Sequence, residues 1–334
     1  MELYLDSADL TEIEEAFDLG FLDGLTTTPT FMHRHGVSDI DGLILRLAKI
    51  VPVLQVEALG QTADDICREA HRLLDLGLER ERTVFKIPVS LQGVRACHRL
   101  RGEGILVNVH LVYTLQQAYM AMKAGATYVC PLVGRLQDQG HDAIGLVQQC
   151  IAAVETYGYT TKVMFSSVRN VEHVRNALLL GVHTVTVPYR VLTQLTQNNF
   201  TTVGTDQFLH HTRLLTTTVG EVMGSVNPVV PADTPLQEAI VRMTEYGFGC
   251  VTIVGDDGGL LGLFTDGDLR RLLERDGRDI LQRRMAEFDY REPLSVEKSA
   301  LLDVAADLFH THKVDNLLVT DHGRPVGMLD IQDL

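Results

Sequence analysis

From residue 1 to about 190, short apolar runs alternate with amphipathic stretches. The runs are ELYLD, GLTTTP, VPVLQVEA, TVFKIPV, ILVNVHLV, TYVCPLV, TKVMFSS and HTVTVP, eight in all. The stretches between them have helical periodicity and helix ends: Thr62 stands as an N-cap, Ile66, Ala70, Leu73 and Leu74 share a face, and Gly77 stops the helix. Strands separated by helices pair in parallel, and eight such units predict an α/β fold closed as a (β/α)8 TIM barrel. The competing arrangement, an open doubly wound sheet, normally places a glycine-rich phosphate loop after its first strand. Here the first strand ends in Asp6-Ser7-Ala8, which suits a helix N-cap.

After residue 215 the rhythm changes. The segment from about 219 to 334 can be laid on itself without a gap at an offset of 65, so that Pro228 meets Pro293, Thr234 meets Ser299, Asp256 meets Asp321, Gly258 meets Gly323, Gly262 meets Gly327 and Asp268 meets Asp333. Thr234 and Ser299 are expected as helix N-caps, with Pro235 at the first helical position of copy one. Asp256-Asp257-Gly258-Gly259 and Asp321-His322-Gly323-Arg324 read as hairpin turns. One copy has too little core to stand alone, so the two are expected to pack about a pseudo-twofold axis with a crevice between them. The domains are placed at 1–215 and 216–334, with repeats at about 219–275 and 284–334.

The 334 residues, 45% of them apolar, suffice for two cores, and the formal charge of −15 argues against a nucleic-acid partner, whose phosphates need broad cationic surface. Cys67, Cys97, Cys130, Cys150 and Cys250 show neither CxxC pairing nor a regular framework, so no metal site or disulfide scaffold is predicted. Nothing in the chain has the length and apolarity of a membrane span, and MELYLDSADL is unlike a signal peptide. A cytoplasmic protein with no membrane partner is expected.

The sharpest chemical signal is Lys86, inside the apolar run TVFKIPV. Burial disfavours an ammonium, so a strand lysine can supply the neutral amine that attacks a ketone; alternatively it forms a buried salt bridge with Glu57 or Asp6. Polar residues recur where other apolar runs end, at Asp6, Glu57, Asn108, His110 and Ser167. Barrel enzymes assemble their sites at that rim, and several polar groups converging from different strands describe a reaction centre.

The segments MELYLDSA, GLTTTPT (24–30), FKIPVS (85–90), NVHLVYT (108–114), AGATYVCPLVGR (124–135), SSVRN (166–170) and TVPYRVL (186–192) make residues 1 to about 215 resemble the transaldolase family, in its small transaldolase and fructose-6-phosphate aldolase branch. The resemblance implies class I chemistry without a catalytic cofactor or metal. Lys86 would form the Schiff base, Asp6 would take the proton of the sugar C4 hydroxyl, and Glu57 would relay protons through an ordered water. Transaldolases carry Glu at this last position and fructose-6-phosphate aldolases carry Gln. Arg135, Ser167 and Arg169 fall on the family's phosphate-binding positions. The helix QFLHHTRLL (207–215) matches one that often packs on a neighbouring barrel, which implies a homo-oligomer.

The chain also departs from the family. Thr28 stands where an Asn usually holds the three-carbon fragment, and His110 replaces the Thr that holds the relay water, while Asn108 keeps its identity. Cys130 and Leu132 replace residues that are usually Ser or Ala and aromatic. His110 is a candidate relay in its own right, because imidazole titrates near neutrality.

The second domain resembles a pair of CBS motifs, and GLFTDGDLRRLL (262–273) is similar to the module fused to sugar-phosphate isomerases of arabinose-5-phosphate type. That resemblance places Thr265 and Asp268 against the ribose and phosphate of an adenine nucleotide or nucleotide-sugar effector. The equivalents in copy two are Asp330 and Asp333, where two carboxylates repel a phosphate. The expected function is a regulated transaldolase that passes a dihydroxyacetone unit from a ketose phosphate to an aldehyde. A reversible aldolase and a catalytically inactive sugar-phosphate sensor are the alternatives, as is a tandem module serving only for dimerisation.

Overall fold

The computed structural model describes residues 1–29 and 39–334; Thr30, the last residue of the GLTTTPT segment, lies outside the described residues. The chain divides into two compact units, Met1–Gln197 and Asn198–Leu334.

In the first unit the eight runs become eight parallel strands that close on themselves: β1 (Glu2–Asp6), β2 (Gly24–Thr26), β3 (Leu54–Glu57), β4 (Thr83–Pro88), β5 (Leu106–Val112), β6 (Tyr128–Pro131), β7 (Lys162–Phe165) and β8 (Thr184–Pro188), with β8 returning to pair with β1. Helices follow the strands, and the Ala63–Asp75 helix shows the local logic. Thr62 and Asp65 form a reciprocal capping box, Ile66, Ala70 and Leu73 face inward, and Gly77 has φ +118° just past the helix end.

Strand side chains alternate between two surroundings. Leu5, Val56, Phe85, Ile87, Val107, Val109 and Val185 point outward to the helices and are fully buried there or nearly so. Truncating one of them, such as Phe85, costs about 3–5 kcal/mol. Tyr4, Gln55, Lys86, Asn108, Tyr128, Cys130 and Met164 point into the barrel. Its lower interior is an apolar cluster of Tyr4, Val84, Tyr128, Cys130 and Met164, and its upper layers are polar.

The second unit begins with the Asn199–Thr216 helix, whose Leu214 packs on the core of the second copy and whose Arg213 donates to the Asp333 and Leu334 carbonyls. These contacts group residues 198–215 with the repeats, whereas the change of sequence rhythm comes only after 215. Copy one comprises β9 (Val229–Pro231), the Leu236–Tyr246 helix, β10 (Cys250–Val254), β11 (Leu260–Thr265) and the Asp266–Asp276 helix. Copy two comprises β12 (Ser295–Glu297), the Leu302–His312 helix, β13 (Asn316–Asp321) and β14 (Arg324–Asp330), ending in a 3-10 turn. Each copy has a three-stranded sheet, and the two predicted hairpins are present, with His322 and Gly323 both at positive φ as a tight turn requires. Cys250, Leu318 and Met328 join the copies in one small core.

The leading segments are exchanged between the copies. Val219 lies in the core of copy two, where its N–H donates to the Ala300 carbonyl; Met285 lies in the core of copy one, where its N–H donates to the Thr234 carbonyl. This corrects the expected N-caps. The helices start at Leu236 and Leu302, with Pro235 and Leu301 at the cap positions and no side-chain cap bond, because the backbone before each helix pairs with the other copy's leader.

Candidate active site

The carboxyl ends of the strands surround a cavity of about 850 Å³. Its walls contain Asp6, Thr28, Glu57, Lys86, His110, Cys130, Leu132, Arg135, Ser167 and Arg169, so ten sequence-predicted barrel positions share one space. Asn108 does not reach it. This fully buried amide donates to Gln55 Oε1 at 2.7 Å and lies 3.5 Å from Met164 Sδ.

Lys86 comes from the middle of β4, paired in register with Glu57 and Asn108 on the flanking strands. Its ammonium donates to the Thr27 carbonyl at 3.0 Å and lies 3.1 Å from Glu57 Oε1, with both side chains more than nine-tenths buried. The salt bridge and the cavity position therefore coexist. His110 Nε2 is 2.9 Å from Glu57 Oε2, but the two are not aligned for a hydrogen bond, so both atoms remain buried without a hydrogen-bond partner. A buried polar pair in this condition is a place for a water or a substrate hydroxyl.

The strand itself aims His110. The β5–β6 register shifts between Val109 and Val112, and Leu111 takes φ +56°, a left-handed conformation that costs a branched residue about 1–3 kcal/mol. Residue 134 must be glycine for Arg135 to approach Ser167 and Arg169. A Cβ there would stand 2.0 Å from the Ser167 carbonyl and 2.9 Å from the Arg169 side chain, and Ser167 itself has φ +58°. This close approach brings the start of the Val133–Asp138 helix, with Arg135, against the loop carrying Ser167 and Arg169. Arg135 faces the Tyr113 hydroxyl at 3.4 Å and Arg169 pairs with Asp138 at 3.3 Å, both exposed enough to be recruited by an anion.

Burial pushes the Asp6 carboxyl above the ordinary range, and the nearby Lys86 charge with a 2.8 Å hydrogen bond from Thr26 offsets this only in part. For Glu57 burial also acts upward, but Lys86 and His110 outweigh it and hold the group below its usual value. Burial lowers His110 despite Glu57, so the ring is neutral near pH 7. The Cys130 thiol is pushed up to about 11 by burial and stays protonated.

Sequence reasoning missed Arg190 and Tyr189, which line the same cavity from the turn after β8, and Gln55, the partner of Asn108. Arg190 had a signal, since it follows a strand end within TVPYRVL, and Gln55 lies two residues before Glu57 and so on the same inward face.

In the second unit, the Thr265 hydroxyl donates to Asp268 Oδ2 at 2.7 Å and accepts from the Asp268 N–H, forming a capping box on the Asp266–Asp276 helix. Arg271 and Arg291 also pair with Asp268, whose pKa is lowered because Thr265 and Arg271 outweigh burial. Asp330 and Asp333 repeat the capping geometry on the final 3-10 turn, with the Asp330 N–H donating to Asp333 at 3.0 Å. Among the described residues no group of three or more His, Cys, Asp or Glu could hold a metal ion, and no helix is long and apolar enough to cross a membrane.

Fold and site together define a (β/α)8-barrel protein with a buried lysine paired to a carboxylate in the wall of its pocket. The family model for transaldolase/fructose-6-phosphate aldolase matches residues 3–223, and that for the CBS domain matches 219–275 and 286–334. The chain belongs to the transaldolase/fructose-6-phosphate aldolase family and is a transaldolase-type enzyme with a C-terminal CBS pair. It is 38% identical over 210 residues to probable transaldolases of Geotalea uraniireducens and Geobacter metallireducens, covering 63% of this chain and 96% of each relative. A probable transaldolase of Streptococcus pyogenes is 36% identical over the same length and shares of chain. Among solved structures, Hypoxic Response Protein I with two coordinated zinc ions is similar at 26% identity and TM-score 0.31, covering 35% of this chain and 95% of that one. A CBS domain protein of Pyrobaculum aerophilum complexed with AMP is similar at 18% identity and TM-score 0.32, covering 35% and 89%.

Proposed function

We propose that the barrel transfers a three-carbon ketol unit, dihydroxyacetone in the family's reaction, from a ketose phosphate to an aldehyde through an imine on Lys86. The observation that carries this reading is the Lys86 ammonium buried in the cavity wall 3.1 Å from Glu57 Oε1, where its proton has an immediate acceptor. Lys86 then attacks the ketone carbon. Glu57, with His110 at its second oxygen, returns a proton to the departing hydroxyl as water leaves and the iminium forms. Asp6 takes the C4 hydroxyl proton, the C3–C4 bond breaks, and its electron pair moves into the iminium to give an enamine. The aldehyde fragment leaves and the acceptor aldehyde is joined by the reverse steps. Arg135, Arg169 and Ser167 hold the phosphate, and Thr28 and Leu132 border the rest of the sugar.

The test is incubation with ketose phosphates and borohydride, followed by mass spectrometry of the peptide carrying Lys86. A covalent adduct supports the reading. An unmodified Lys86 in protein that still binds the ketose phosphate overturns it in favour of a sensor. Release of free dihydroxyacetone without acceptor at the transfer rate would make the enzyme a lyase; the carboxylate at Glu57 supports transfer.

The CBS pair, on this reading, binds one adenine nucleotide or nucleotide sugar at Thr265 and Asp268 and thereby regulates the enzyme. Asp330 in place of a hydroxyl leaves the second position poorly suited to a phosphate. The Asn199–Thr216 helix buries no residue and exposes Phe200, Phe208, Leu209 and Leu215, which supports a homo-oligomer that light scattering would detect. Five free cysteines suit a reducing, cytoplasmic setting.

A further inference from the structure

Arg190 is a third guanidinium lining the cavity. Its neighbours there come from successive strands: Arg135 follows β6, Ser167 and Arg169 follow β7, and Arg190 stands two residues past the end of β8. The Arg190 side chain is exposed, and its Nη2 donates to the Arg169 carbonyl at 3.3 Å, so it lies against the loop that carries Ser167 and Arg169. Charge shows why a third arginine matters. Arg169 pairs with Asp138 at 3.3 Å, whereas Arg135 and Arg190 form no salt bridge among the described residues. The carboxylates lining the same cavity are engaged elsewhere, Glu57 with Lys86, Asp6 with Thr26 and Glu12 with Ser7 at 2.5 Å. Arg135 and Arg169 against Asp138 therefore leave one net positive charge, and Arg190 makes it two, in a chain whose formal charge is −15. A phosphate monoester carries about −1.5 to −2 near neutral pH. Three guanidiniums set against one acid match that dianion, whereas two would leave it undercompensated.

Resting on the Lys86 chemistry and the phosphate grip proposed above, we propose that Arg190 is a direct ligand of the sugar phosphate and sets a preference for a dianionic sugar ester over a monoanionic one of the same shape. The competing role for this residue is a brace that acts only through the Arg169 carbonyl. Substitution separates the two. Gln at residue 190 keeps an N–H donor for that carbonyl and removes the charge, whereas Lys keeps the charge as a single point without the guanidinium fork.

The test uses the full-length chain, borohydride and three ketoses that differ only at C6: fructose, fructose 6-phosphate and fructose 6-sulfate, the last with a single negative charge in the same place. All adducts on Lys86 are counted together by mass spectrometry, and the half-saturating concentration of each sugar is read from the initial labelling rate. The unaltered protein is expected to prefer the phosphate to the sulfate by about tenfold or more. Arg190→Gln is expected to raise the half-saturating concentration of fructose 6-phosphate by about 10- to 100-fold and to bring the two esters within about threefold of each other. Arg190→Lys should recover most of both losses. A brace acting only on Arg169 would weaken both esters alike, so a phosphate-over-sulfate ratio that Arg190→Gln leaves unchanged overturns the proposal, as does an unchanged value for fructose 6-phosphate. If Arg169→Gln is equally silent, the phosphate grip fails and this proposal with it. Failure of all three sugars to label Lys86 would instead remove the Schiff-base reading on which both rest.

Discussion

Glu57→Gln is the most informative single change, because the carboxylate touches Lys86 with one oxygen and His110 with the other. Deleting one partner of a buried ion pair costs about 3–5 kcal/mol. The Gln amide oxygen still accepts a hydrogen bond from the ammonium, which recovers about 1.5–3 kcal/mol. The net loss is therefore about 2 kcal/mol, or about 4–8 °C in the melting temperature of a barrel of this size. Chemistry suffers more, since a positioned proton relay is worth about 10²- to 10⁴-fold. The initial rate of borohydride-trapped adduct on Lys86 should fall by that factor, while the final extent of labelling at long incubation is retained. Calorimetry of the full chain and time-resolved mass spectrometry measure the two effects. A variant that labels within threefold of the unaltered rate would show that Glu57 is no proton relay, whatever its effect on the melt.

Asp6→Asn should retain the Lys86 adduct but lose carbon–carbon cleavage by about 10²- to 10⁴-fold. Because the folded-state pKa of Asp6 is raised, its contribution to stability is full below the ordinary carboxylate range and lost as pH rises through the raised value, so the same variant should melt higher at pH 7. His110 has the opposite sign. Its lowered pKa gives stability that is present above the ordinary imidazole value and lost as the pH falls through the folded one, so melts of the unaltered protein should decline below about pH 6.5 more steeply than those of His110→Asn. Arg169→Ala should raise KM for a phosphorylated ketose by about 10- to 100-fold while leaving adduct formation with unphosphorylated dihydroxyacetone unchanged. Asp268→Ala should abolish nucleotide binding by titration calorimetry and Asp330→Ala should not, with one nucleotide bound per chain in the unaltered protein.

The barrel is legible in the sequence because each strand is a compact apolar run and each helix carries its own ends, as at Thr62 and Gly77. The inward polar set is legible for a related reason. Glu57, Asn108 and His110 break apolar runs at positions that a period of two sends to one side. The details that depend on contacts between distant segments escape that reading. The bulge at Leu111 arises from pairing with β6, and the need for glycine at 134 comes from a loop more than thirty residues further along the chain. Asn108 carries the expected identity, yet its amide turns to Gln55, and nothing local to residue 108 announces that partner. The misplaced caps at Thr234 and Ser299 have the same origin, in backbone recruited by the other repeat.

That reciprocal swap of leaders governs how the duplicated half holds together. Val219 completes the core belonging to copy two and Met285 that of copy one, so a cut in the connecting stretch near Gly277 would leave each fragment without the piece that closes it. Neither half is therefore expected to fold when lifted out, and the duplicated sequence should melt and re-form as a single cooperative body. On the proposed reading, a small molecule gripped at Thr265 need not touch copy two to affect it, because each repeat supplies the leader that seals the other.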